Sequence, residues 1–135
     1  MDTSPAVARV IESCLDDERT LVQESKVVDE RRRAVLMRLA DERRRFAEDL
    51  ERFNGQGSRE SWGGIAREAG NKLWAEMAGR NPGDAVAACL RSQHRTEVRY
   101  EEALETELSS DVRAALVTQH QSVQAARADL AKIEF

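Results

Sequence analysis

Residues 85–108, AVAACLRSQHRTEVRYEEALETEL, decide the fold. Val86, Cys89, Leu90, Tyr100, Ala103, Leu104 and Leu108 recur at helical spacing, which predicts one long amphipathic helix over Ala85–Leu108. Halfway along, Gln93, His94 and Glu97 interrupt the apolar stripe. Three other stretches repeat this pattern of a helical stripe broken near its midpoint.

The first begins at Ser4-Pro5, an N-cap with proline at the first helical position. Its stripe runs through Val7, Val10, Ile11, Cys14, Leu21, Val22, Ser25 and Val28, failing only around Asp17 and Glu18. Asp29 is the natural cap for a second helix, although one unbroken helix through Val28–Glu30 is an alternative. The second stripe, to about Phe53, carries Leu36, Leu39, Phe46, Leu50 and Phe53, and breaks at Glu42 and Arg43. The last, to about Ile133, follows the turn and cap signal Ser109-Ser110-Asp111. It carries Val112, Leu116, Val123, Ala126, Leu130 and Ile133, and breaks at Gln119 and His120.

Between the second and third long helices lie about 30 residues, too many for a hairpin turn and suited to a crossover along a bundle. Asn54–Ser61 reads as a loop, and its glycines lack the spacing of a phosphate-binding motif. Trp62–Ala78 reads as a short extra helix with Trp62, Ile65, Ala66, Ala69, Leu73 and Met77 inward, ended by Asn81-Pro82-Gly83. Asp84 is then available to cap the third long helix.

Composition agrees with an all-α chain forming a single domain over 1–135. Of the 135 residues 41% are hydrophobic and 34% charged, with only seven Gly and two Pro. A formal charge of −4 argues against a dedicated nucleic-acid binder. The second helix alone invites that reading, but its eight basic residues are interleaved with six acidic ones, leaving +2, as on a solvated ion-paired face. No apolar run reaches the roughly 20 residues of a membrane span. With no signal-peptide pattern and two widely spaced cysteines, Cys14 and Cys89, on apolar faces, a cytoplasmic setting is expected.

The helix centres fall near residues 17, 43, 96 and 122, and the breaks at 17–18, 42–43, 93–97 and 119–120. Packed side by side, the helices would bring the breaks to one height. The expected polar layer contains Asp17, Glu18, Glu42, Arg43, Gln93 and Gln119, a salt-bridged and amide-rich network. On that reading Glu42→Ala strands a buried cation and costs several kcal/mol. The rival is a metal centre of the di-iron carboxylate type, with Glu18, Glu42, His94, Glu97 and His120 as candidate ligands, because hard iron ions take carboxylate oxygens completed by imidazole. The expected Glu-x-x-His pairs are missing: three before His120 stands Val117, and three after Glu42 stands Arg45. A third alternative leaves these groups on exposed flanks.

The chain resembles the PA2169-type ferritin-like four-helix-bundle family, DUF2383, a domain of unknown function. The likeness rests on RLADERRRFAEDL at 38–50, SWGGIAREAGNKLWAEM at 61–77, and residues 83–133, most specifically Gly83-Asp84-Ala85, Tyr100-Glu101-Glu102-Ala103-Leu104 and Asp111-Val112-Arg113-Ala114. It implies a ferritin-like bundle whose long connection joins the second and third helices, and implies no activity. It also implies acidic residues where this chain has Ala88, Leu90 and Gln93, hence a loss of carboxylates that metal would need. The expected protein is an uncharacterised, non-catalytic binding or scaffold bundle that self-associates, without a cofactor. Trp62, Trp74 and Phe135 near segment edges motivate the self-association, and stapling of the crossover is their alternative role. An iron-handling protein or oxidase is the other functional class.

Overall fold

The computed structural model describes residues 4–53 and 82–133. Among them the chain forms four helices and no strand: α1 Pro5–Ser25, α2 Glu30–Phe53, α3 Pro82–Leu104 and α4 Ser110–Ala131. The proposed loop and short helix within 54–81, with Trp62 and Trp74, lie outside the described residues, as does Phe135.

Each helix start has a local cause. The Ser4 side chain accepts from the Val7 amide, with Pro5 presetting the first turn of α1. Asp29 separates α1 from α2 by accepting the Arg32 amide at 2.9 Å, which excludes one continuous helix. Ser109 caps α4 through the Val112 amide. The α3 helix begins at Pro82, three residues before the expected start, so Asp84 sits in its first turn instead of capping it. It also ends at Leu104, four residues before the expected Leu108. There the Glu105 and Thr106 amides turn back to Glu102 and Ala103, and the Thr106 hydroxyl takes the Ala103 carbonyl.

Both tight turns are sealed in the same way. Four residues after the capping Asp29, Arg33 reaches back to the Ser25 carbonyl at 2.9 Å. Four residues after the capping Ser109, Arg113 donates to the carbonyls of Leu104 at 3.0 Å and Thr106 at 2.9 Å. An arginine fork thus satisfies carbonyls that a helix end leaves open.

The α1 helix packs on α2 and on α3, α3 packs on α4, and α4 closes more lightly onto α2. Two apolar clusters fill the interior. One joins Val7, Val10 and Cys14 of α1 to Leu50 of α2, Tyr100 and Ala103 of α3, and Leu116 of α4. The other joins Leu21 to Leu36 and Leu39, Ala85 and Cys89, and Ala126 and Leu130. The start of α1, the end of α2, the end of α3 and the start of α4 therefore share one end of the bundle. So α2 and α3 run parallel, and Phe53 and Pro82 stand at opposite ends. Polar residues separate the two clusters at mid-height.

Candidate functional site

At the centre of the bundle lies Arg43, its side chain 0% exposed. It reaches across the bundle diagonal from α2 to α3, where Gln93 Oε1 accepts from Nε at 3.2 Å and Nη2 at 2.6 Å. Nη1 donates to Glu42 at 2.6 Å, and the guanidinium lies 5.5 Å from the Phe46 ring centroid. On α1, Asp17 Oδ2 stands 3.5 Å from Arg43 Nε, close enough for an ion pair but without an aligned hydrogen bond. The Ser92 hydroxyl donates to the other Asp17 oxygen.

Charge is costly here. Burial pushes the Asp17 carboxyl from 3.8 up to about 7, although the Ser92 hydroxyl and the Arg43 guanidinium pull the other way. The short ion-pair distance and the raised pKa point in opposite directions. At 3.5 Å and out of alignment, Arg43 returns less than desolvation removes. Arg43 is held chiefly by Gln93 and Glu42, while the Gln93 side-chain nitrogen is buried with no hydrogen-bond partner among the described residues.

One level along, a directed chain of hydrogen bonds links four elements. Gln119 donates from Nε2 to the Phe46 carbonyl at 3.4 Å, so its Oε1 faces Tyr100 and accepts the phenol proton at 2.8 Å. The Tyr100 oxygen is then free to accept from the Cys14 thiol at 3.2 Å. This order needs Cys14 protonated, and burial, with Asp17 nearby, pushes that thiol up to about 12. Burial also raises Tyr100 well above its usual 10.0. Both groups are chemically quiet near neutrality.

The expected layer residues divide. Asp17, Arg43, Gln93 and Gln119 are buried and face inward. Glu18 turns to the surface and pairs with Arg44 at 2.8 Å, not with Arg43. Glu42 meets Arg43 from the rim, its side chain 30% exposed. That position revises the effect of Glu42→Ala. Arg43 keeps Asp17 and Gln93 and gains access to water, so a loss of about 1–2 kcal/mol in denaturant melts is expected. A loss of about 4 kcal/mol would show that Glu42 is the essential counter-charge.

Of the five candidate metal ligands, only Glu97 and His120 come together among the described residues. His94 is exposed and belongs to neither the layer nor this pair. Glu97 is buried against Arg127 of α4, and His120 faces Glu101. A di-iron centre would need carboxylates at mid-bundle, yet that level presents the guanidinium of Arg43 with Asp17 as its inward carboxylate. The residues do not fit such a centre. Sequence reasoning missed Ser92 and Thr96, whose hydroxyls reach Asp17 and the Ser13 carbonyl from α3. It also missed Glu101, four residues after Glu97, a spacing that puts both on one helix face.

Comparison with family models, with curated proteins and with solved structures gives no match. Among the described residues no helix is long and apolar enough to cross a membrane.

Proposed function

We propose that the chain is a ferritin-like four-helix bundle of the DUF2383 type that serves as a non-catalytic binding or scaffold protein and self-associates. One observation carries the non-catalytic reading: a fixed cation, Arg43, occupies the centre where a carboxylate-bridged metal pair would have to sit. Two cations at that level would meet a third charge of the same sign. The parallel course of α2 and α3, with Phe53 and Pro82 at opposite ends, supports the ferritin-like connectivity, in which one long connection spans the bundle. Buried thiols at Cys14 and Cys89 suit a reducing cytoplasm. Met37, Phe53 and Val117 are each more than a third exposed, scattered apolar side chains of which a helix-face contact between copies would cover some.

Light scattering of the purified chain at high concentration is expected to give a dimer or larger species. A monomer at every concentration would remove self-association. Iron loading followed by anomalous scattering at the iron edge is expected to leave the bundle centre free of iron. Two iron atoms per chain at the level of Arg43 would overturn the scaffold reading in favour of an iron-handling one.

A further inference from the structure

The network around Arg43 makes no use of a second cluster, on the flank between α3 and α4. Glu97 and Glu101 share one face of α3, and His120 faces them from α4. One ligand atom from each of the three lies within 4.8 Å of the others, and His120 Nε2 is 3.6 Å from Glu101 Oε2. Glu97 is only 5% exposed. The Arg127 Nε stands 2.7 Å from Glu97 Oε2, yet that oxygen is in no aligned hydrogen bond. His120 Nε2 is buried with no hydrogen-bond partner among the described residues. A buried imidazole nitrogen that faces two carboxylates without a hydrogen bond is unusual in a settled interior.

The imidazole is also held in place. Its ring stacks on Tyr100 at a centroid distance of 5.9 Å and an interplanar angle of 22°. Tyr100 is fixed in turn by Gln119 and Cys14. Orientation of a ligand by groups behind it is what a metal site requires of its surroundings.

We propose that Glu97, Glu101 and His120 form a mononuclear site for a divalent first-row transition ion, with Zn²⁺ as the representative. One imidazole nitrogen with two carboxylate oxygens is a mixed donor set. It favours such ions over Ca²⁺ and Mg²⁺, which take oxygen alone. Three protein ligands leave a position for water. Metal–ligand bonds of about 2.1 Å set ligand atoms about 3.4 Å apart in tetrahedral geometry. Closing the cluster to that spacing calls for a small movement, which the exposed Glu101 side chain supplies. Arg127 is the competitor. Its side chain is 46% exposed, so it swings into solvent when a metal takes Glu97. This flank site is separate from the bundle centre, and the scaffold reading stands or falls without it.

The test is calorimetric titration of the full chain with Zn²⁺, paired with Co²⁺ as a spectroscopic probe. One ion per chain is expected, with visible Co²⁺ bands. Glu101→Gln, a surface change that leaves thermal melting intact, is expected to weaken Zn²⁺ binding about tenfold or more. Arg127→Ala is expected to tighten it, since the competing cation is gone. His94→Ala, which removes the other imidazole, is expected to leave it unchanged. Wild-type binding weaker than about 1 mM would overturn the proposal. So would wild-type affinity in both Glu101→Gln and His120→Gln.

Discussion

At about pH 8, Arg43→Ala is expected to lower the stability of the folded chain by about 3–5 kcal/mol, the cost of breaking a buried pair from one side. Three consequences coincide. Asp17 loses the cation that holds its pKa down and must take up a proton or stay charged and unpaired, Gln93 Oε1 loses both donors, and the guanidinium leaves a void at the bundle centre. Near pH 5 the penalty is smaller, because Asp17 already carries a proton there. Urea melts at the two pH values measure both effects, and a pH-independent loss below about 1 kcal/mol would show that Arg43 is dispensable. Replacing the whole group tells a different story. Asp17→Leu, Arg43→Met and Gln93→Leu together are expected to cost far less than the sum of the single changes. Among the described residues the native network leaves Asp17 Oδ2 and the Gln93 nitrogen without a hydrogen bond, and an apolar layer carries no such deficit.

The second large effect is a dependence on pH opposite to the usual one for a carboxylate. The folded-state pKa of Asp17 is raised, to about 7 from 3.8. Between those values the native chain holds a proton that the unfolded chain releases, so the slope of stability against pH is negative. The contribution is full below about 4, declines as pH rises, and is gone above about 7. At about 1.4 kcal/mol per unit the drop is on the order of 4 kcal/mol. Asp17→Asn removes the titrating group while keeping the shape. Its stability profile is therefore expected to be flatter than wild type between about pH 4 and 7. Parallel profiles would place the titration elsewhere.

Much of the bundle is legible in the residues because four stripes share one period and have caps at three of the starts. The stripe breaks mark the height of the polar layer, since a gap in apolar spacing shows wherever a buried polar group sits. The breaks do not show which of two neighbours points inward. Adjacent helical residues differ by about 100° in direction, and long side chains reach past that difference. So Glu18 and Asp17, or Glu42 and Arg43, look equivalent in the sequence and part company only when packed. Ser92 and Thr96 are silent for another reason: small hydroxyls fit either face, and their partners, Asp17 and the Ser13 carbonyl, lie on another helix. Tyr100 is hidden by its ring, which counts as apolar on the stripe while its oxygen joins Cys14 to Gln119. Glu101 is lost in an acidic run.

The central layer also fixes how the two hairpins, α1–α2 and α3–α4, slide against each other. Above and below it are clusters built mainly of Ala, Val and Leu, whose burial changes little if one hairpin shifts by a helical turn, about 5.4 Å. The bonds from Asp17 to Ser92 and from Arg43 to Gln93 join one hairpin to the other. A slip of one turn would break both and drive the Arg43 charge into an apolar cluster. The apolar stripes hold the hairpins together, and this small set of costly polar contacts sets the single alignment in which they lock.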